Sequence, residues 1–550
     1  MKGHQALLCA TCWTFAVLPT AIQAQPTTHR VPADFASIQE AIGASQNGDT
    51  VLVSPGWYIE NLDLAGKAIR VASTDGPAST TIDGAQQGSV VKFVSNEGLD
   101  TVLEGFTITN GSGTALPPSR ESSIGGGIYC SYSSPTIRNN VIIGNYAYGA
   151  YHGMCCEFEE DGGQGGGIGL EASAAVVEGN AILQNTVTEG WDFFYGLLEP
   201  RGGGVYGYGF SGRMSDNLIQ ANQAYLNGFG AGLCLIACNG SCENNVIDSN
   251  GTPNRAHLGG GIYSNVSPDL RVQNNRITNN LGVFGAGIAA RNAAFVGNLI
   301  AGNGDLATLG GGGASVYHFG GAVFELNTIV ANVAATAPGI QALATTPPDI
   351  RNCILWNPAQ GPEIEGAANI SYSLVRGGYP GTGNISDDPL LTDWSAGDYS
   401  LSQASPCIDA GDPAVVLCEA DLDGNSRLLD GNLDRTMVID MGAHEFSHAR
   451  LEILGAPQVG QAISINVNGT TGMSTFLLVG LAPGPALFSH FGCLFLDLGS
   501  PFSILGVGSI PVSLAGSIPG PAAGATLVLQ ALALGGGSGN LTNAVELAIE

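Results

Sequence analysis

Asn140-Val141-Ile142-Ile143-Gly144-Asn145 is the first copy of a phrase that the chain repeats eight times: Asn, any residue, Ile, any two residues, Asn. Later copies begin at Asn180, Asn217, Asn245, Asn275, Asn298, Asn327 and Asn352, and each keeps both asparagines and the isoleucine. Most follow a glycine cluster, such as Gly125-Gly126-Gly127-Ile128-Tyr129 or Gly259-Gly260-Gly261-Ile262-Tyr263. Successive copies start 40, 37, 28, 30, 23, 29 and 25 residues apart, which leaves about 23 residues as the bare unit, with insertions in some copies. That length is too short for a helix pair and suits three short strands with turns, one coil of a parallel β-helix. The Ile then points inward and the Asn sits at a corner, where it tolerates a left-handed backbone and can bond its neighbour one rung away. Stacked, the eight leading asparagines form a ladder. A leucine-rich horseshoe would show a Leu ladder instead, and a calcium-binding nonapeptide roll would repeat Asp at a fixed offset from its glycines.

These residues carry a resemblance, over roughly residues 31 to 447, to the right-handed parallel β-helix proteins of the pectate-lyase-like superfamily. The resemblance implies an all-β fold built on a right-handed three-strand parallel β-helix. It speaks to fold far more than to activity, so function has to come from the site.

Outward from the repeats, residues 1–24 read as a signal peptide: Lys2, the apolar run Ala6 to Leu18, and a small-residue end at Ala24. Cleavage would leave no segment able to span a membrane, and an exported or cell-surface chain whose cysteines are free to pair. Residues 25–110 hold an amphipathic helix with Asp34 as N-cap, Phe35, Ile38, Ala41 and Ile42 on one face, and Gly43 with Gly48 as its end. Such a helix would plug the first coil, whose core and strand edge would otherwise be bare. Degenerate early coils pass through Ile82 and Ile108, and residues 111–380 carry the Asn-ladder coils. Residues 381–448 are Asp-rich: Ser405-Pro406-Cys407-Ile408-Asp409, Asp421-Leu422-Asp423-Gly424-Asn425 and Asp440-Met441-Gly442-Ala443-His444-Glu445 resemble the closing segment of bacterial surface proteins of the choice-of-anchor Q type, with His444 where an aromatic is expected. Residues 449–550 contain one Arg, no Lys and alternating apolar runs between Gly/Pro turns, a composition that reads as a small β-sandwich of about seven strands.

Eighteen basic against 46 acidic residues give a formal net charge of −28, which disfavours nucleic acid and anionic membrane as partners. The insertions fall at one phase, after the second Asn of the phrase, at 146–164 and 186–201 and more briefly at 223–229 and 251–258. Insertions at a constant phase emerge on one side of a solenoid, often its binding side. The first two are aromatic and acidic and include Trp191. Alternation along the glycine-led strand turns Tyr129, Tyr206 and Tyr263 outward, with Tyr208 and Tyr317 nearby, as an interrupted stripe. Tyrosine faces stack on sugar rings, so Tyr129, Tyr206, Tyr208, Tyr263, Tyr317 and Trp191 are candidate ligand contacts for a polysaccharide or a cell-surface component; the competing reading is a ladder of stacked aromatics that serves the sheet alone.

Catalytic signals are weak. The chain lacks the polygalacturonase Asn-Thr-Asp and Gly-His-Gly phrases, the pectate lyase Asp-His phrase and its Arg-rich partner, and pectin methylesterase signatures. An atypical lyase or glycoside hydrolase site among Glu171, Asp192, Glu199 and Arg201 is the alternative to a non-catalytic binding scaffold. His444-Glu445-Phe446-Ser447-His448 matches the zinc-protease pattern in letters but not in context, since that chemistry needs a regular helix. Cys234-x3-Cys238-x3-Cys242, Cys155-Cys156 and Cys407 with Cys418 read as disulfide cysteines rather than metal ligands. Asp421 and Asp423 begin like a calcium loop but lack its spacing. No metal and no cofactor is expected.

Overall fold

Each repeat folds into one coil of three strands. In the first phrase-bearing coil these are Ile128–Ser131, Thr136–Arg138 and Val141–Ile143. The computed structural model describes residues 25–115, 122–149, 151–152, 162–192, 196–226, 228–252, 258–304, 312–316, 321–334, 336–357, 361–415, 419–434, 436–454 and the strands that follow. Equivalent strands pair in parallel from coil to coil. Among the described residues they build sheet I from the glycine-led strands (11 strands), sheet II (13 strands) and sheet III (12 strands).

The register explains the phrase. In sheet III, Ile82, Ile108, Ile142, Ile182, Ile219, Ile247, Ile277, Ile300 and Ile329 stack in one column, all buried, and form one wall of the core. Sheet II faces them with residues such as Ile137, Val177, Val272, Phe295 and Phe324; the last two rings stack 5.1 Å apart. The leading asparagines from Asn140 to Asn327 occupy the turn between sheets II and III. From Asn180 on, each offers its side-chain oxygen to the preceding rung, where the amide nitrogen of the Asn side chain donates to it at 2.9–3.1 Å and the backbone N–H also donates, while the Asn140 oxygen accepts from the Phe106 N–H. The closing asparagines, Asn145 to Asn332 and on to Asn357, form a second ladder of the same design.

Two details differ from the sequence reading. The left-handed corner residue is not the ladder Asn but the one before it: Asn139, Asp216, Asn244, Asn274 and Leu326 have φ between 51° and 58°. In the last copy Asn352 takes that left-handed place (φ 53°), and the ladder position falls to Cys353, whose sulfur accepts from the Asn327 backbone N–H at 3.4 Å. The register shifts accordingly: Leu355, not Ile354, continues the interior column under Ile329. Asn352 is therefore not a ladder residue; its side-chain oxygen accepts from the Asp412 N–H instead.

The glycine clusters arise from close approach between rungs. A Cβ on Gly127 would sit 2.8 Å from the Gly167 carbonyl oxygen and 2.9 Å from the Asn145 side-chain nitrogen. The amide ladder thus packs directly on glycine backbone.

The N-terminal helix spans Ile38–Ala44 and buries Ile38, Ala41 and Ile42 against the first coil. Its N-cap is Ser37, not Asp34, and Gly43 lies inside it. Asp34 is used one turn earlier, where its carboxylate accepts from Arg30 N–H, while Glu60 accepts from the Ile38 and Gln39 N–H groups and so adds a second cap. At the far end Tyr379 packs against the core, beyond the last sheet II strand, Asn369–Ser371.

Residues 382–385 pair on that last coil, Ile385 bridging in parallel to Leu374 and the Asn384 side-chain oxygen accepting from the Ser373 N–H, but the rest of the segment to residue 448 does not stay at that end. It turns back along the flank of the helix, where Leu401, Cys407 and Met441 cover Leu299, Ala301, Val330, Ile354 and Leu374. Polar ties complete the docking: Arg271 to Glu419 at 2.9 Å, Arg276 to Asp423 at 2.7 Å, and Ala443 N–H to Thr328 Oγ1 at 2.8 Å. Beyond them, ten described strands from Ala449–Leu454 to Val545–Ala548 pair antiparallel. Among the described residues no helix is long and apolar enough to cross a membrane.

Candidate functional site on the glycine-led sheet

Sheet I presents two outward columns. The first runs Lys92, Tyr129, Gly169, Tyr206, Cys234, Tyr263, Ala289 and Ser315. Its tyrosines face away from the coil interior, yet Tyr129, Tyr206 and Tyr263 are only 7 %, 3 % and 5 % exposed. The cause is a further row of residues, just ahead of each glycine cluster, that bridges in parallel from Ile124 through Gln164, Arg201, Phe229 and Leu258 to Phe284. This row lies over the tyrosines and makes a satellite core of Ile124, Tyr129, Tyr206, Cys234, Tyr263 and Ala289, with the Phe229 and Tyr263 rings 4.5 Å apart. Gly169 leaves the space that Ile124 fills: a Cβ there would lie 2.5 Å from the Ile124 side chain. The stripe is thus buried packing, and the expectation of an open tyrosine platform at these three positions is corrected.

The second column is open. It runs Ser131, Glu171, Tyr208, Ile236 and Asn265, one rung apart. Tyr208 is 52 % exposed, and Tyr132, at the left-handed turn that follows Ser131, is 76 % exposed. Between them Glu171 accepts a hydrogen bond of 2.5 Å from the Tyr129 hydroxyl, which burial and the neighbouring carboxylate hold far above its usual range of titration. Arg291 donates to Asn265 at 3.3 Å and carries the strip onward. Over five coils the surface therefore sets the two exposed aromatic rings on either side of Glu171, followed by Ile236 and then the polar Asn265.

Where the insertions fall within the described residues, they extend the coils. Tyr146–Ala147, Thr186–Val187 and Gln223–Ala224 pair in a small parallel sheet, and Tyr151–His152 pairs with Gly190–Asp192. Tyr146 and Tyr148 stack with centroids 6.3 Å apart. Tyr148 also borders a polar cleft of about 510 Å³ with Gln87, Ser89, Lys92 and Thr114. Trp191 lies on the Gly190–Asp192 strand, its side chain outside the described residues, as is the whole of Tyr317. Of the alternative catalytic set, Glu171 sits on the open column, Arg201 in the covering row and Glu199 in the exposed approach to it, while the Asp192 side chain lies outside the described residues.

The remaining motifs resolve into structure. His444 Nδ1 lies 3.1 Å from Asp423, His448 Nε2 lies 2.9 Å from the Gly431 carbonyl, and the stretch between them is not helical. Asp421 accepts from the Asp423, Asn425 and Glu445 N–H groups, so its oxygens are committed to the loop itself. Cys130, Cys238, Cys242, Cys353 and Cys407 are buried thiols rather than halves of disulfides; Cys155, Cys156 and Cys418 lie outside the described residues. Burial pushes the Cys238 thiol up to about 11 and those of Cys353 and Cys407 up to about 12, which leaves them unreactive.

No curated protein matches the chain. A family model described as right handed beta helix region matches residues 81–355, half of the 550-residue chain and the stretch in which the three parallel sheets carry their ladders. The chain belongs to the right-handed β-helix family.

Proposed function

We propose that this is an exported, non-catalytic β-helix scaffold that binds an extended polysaccharide along the open column of sheet I. The observation that carries the reading is the pair of exposed rings, Tyr132 and Tyr208, set two rungs apart with Glu171 on the rung between. Two rungs of parallel strand span about 10 Å, comparable with two sugar units of a chain. Tyrosine rings stack on the apolar faces of sugars, while Glu171, Asn265 and Arg291 offer hydrogen bonds to hydroxyl groups. With 46 acidic residues against 18 basic ones, a neutral or cationic glycan is favoured over a bare polyuronate. A polysaccharide lyase or glycoside hydrolase on the same face is the second reading, favoured by the short contact between the Glu171 carboxylate and the Tyr129 phenol.

Affinity electrophoresis of the full chain through a panel of soluble glycans, with the same glycans assayed for new reducing ends and unsaturated products, separates the readings. Retention without product, abolished in Tyr132→Ala/Tyr208→Ala, is the expected result. Product formation lost in Glu171→Gln would establish the enzyme instead. Retention unchanged in the double variant would remove sheet I as the binding face. The tyrosines beneath the covering row are unsuitable probes, because truncating a buried aromatic costs about 3–5 kcal/mol of stability.

A further inference from the structure

A second cleft lies away from the glycine-led face, where the returning segment stops short of covering sheet III. The apolar cover over Leu299, Ala301, Val330 and Ile354 ends near the 3-10 turn Trp394–Ala396, and between that turn and the sheet opens a space of about 460 Å³, within the range of small-ligand sites. Its floor is apolar, from Val246, Leu299 and Ala301. One wall is Trp394, 45 % exposed, with Tyr399 beside it. The backbone that carries Trp394 is fixed: Asp393 accepts from the Ala396 N–H and the Ser395 hydroxyl, and Gly397 ends the turn in the left-handed region.

The opposite wall is polar and fixed. Asp248 accepts from Thr278 at 2.7 Å, Asn279 at 2.9 Å and Gln220 at 2.9 Å, so Thr278 and Asn279 are oriented before any ligand arrives. Arg276 lines the cleft and gives one nitrogen to Asp423 at 2.7 Å, an ion pair that offsets its charge. The Tyr399 hydroxyl has no protein partner among the described residues. An aromatic face opposite oriented donors and acceptors suits a ring that is apolar on its faces and hydroxylated at its edge. The carboxylates of Asp248 and Asp423 beside it disfavour an anionic ring.

We propose that the cleft between Trp394 and the Arg276–Asn279 wall binds a neutral pyranose ring of a glycan, as a site separate from the open column of sheet I. The ring stacks on the Trp394 indole; Arg276 donates to its hydroxyl oxygens and the Asn279 side-chain oxygen accepts from a hydroxyl.

Titration of the full chain with cellohexaose, mannohexaose and xylohexaose, with tri-galacturonate as the anionic control, tests this by tryptophan fluorescence and calorimetry. At least one neutral oligomer is expected to give a saturable change, with affinity reduced about tenfold or more in Trp394→Ala and also weakened in Asn279→Ala, a surface change that spares the turn. Binding should survive in Tyr132→Ala/Tyr208→Ala, so failure here and failure of the sheet I reading are told apart. Affinity unchanged in both cleft variants, a preference for tri-galacturonate, or no saturable binding of any neutral oligomer would overturn the proposal and leave the cleft as a solvent gap between packed segments.

Discussion

Asn275 shows what one residue does in this fold. Its side-chain oxygen accepts from both the backbone and the side-chain nitrogen of Asn245, and its own nitrogens donate to Asn298, Cys242 and Gln273. All but the bond to Gln273 is fully buried, so Asn275→Ala strands donors and acceptors on three rungs. The expected cost is about 1–3 kcal/mol, the usual penalty for unpaired buried groups, read as a lower midpoint in urea unfolding; a midpoint equal to that of the parent would mean that the ladder adds nothing. The identity of these residues was legible because the same letters recur. Asn352 marks where letters stopped being enough: the phrase matches there, but a one-residue shift gives its place to Cys353. The only sign in sequence was that Leu355 fits the interior column as well as Ile354 does. Tyr206 and Tyr208 make the same point for the site. Alternation sends both outward, yet one is buried and the other exposed, because outward from a strand is not outward from the molecule once another row covers it.

At the scale of elements, the period of the phrase made the three sheets readable, since each strand of the coil is short and each bears one signal. The covering row from Ile124 to Phe284 was not readable, because it adds one residue per rung and mixes apolar residues with Gln164 and Arg201, so no residue type recurs along it as the asparagines do. The returning segment was legible as a unit but not in its placement, because its docking depends on partners about 150 residues away, such as Arg271 with Glu419. That segment buries Asp440 and Glu445 with Arg427, and burial is the main cause that raises both carboxyls, Asp440 up to about 8. A carboxyl whose folded value lies above its unfolded one binds more protons when folded, so stability falls as pH rises between the two. For Asp440 that window runs from its ordinary value of 3.8 to about 8. Amide hydrogen exchange, corrected for the intrinsic pH dependence of the rate, should therefore show residues 381–448 better protected at pH 5 than at pH 8, and less dependent on pH in Asp440→Asn. Protection that weakens on acidification across this window would contradict a carboxyl raised by burial.

For the whole molecule, a helix of stacked coils must hide both ends and any apolar flank, and this chain does so with three different devices. The helix Ile38–Ala44 plugs the first coil, Tyr379 packs at the last, and the returning segment seals part of sheet III while leaving the open column of sheet I untouched. Each device belongs to residues before 449, which argues that the β-helix is complete without the charge-poor strands that follow. The boundary can be drawn more finely than composition allows: His448 lies 2.9 Å from the Gly431 carbonyl and packs edge-on against Phe446, so it belongs to the returning segment. Residues 449–550 hold their own antiparallel strands, Ala449–Leu454 pairing with Ala462–Gly469 and Ser474–Gly480 with Thr526–Gly535. We therefore expect a chain ending at Ala449 to express as a soluble β-helix, with the circular dichroism of parallel sheet and with a melting transition retained from the full chain. A chain ending at Phe446 should melt lower, since it loses the His448 contacts that tie down Gly431. If the longer of the two failed to fold while the full chain did not, residues 449–550 would be part of the β-helix's own core rather than a module joined to it.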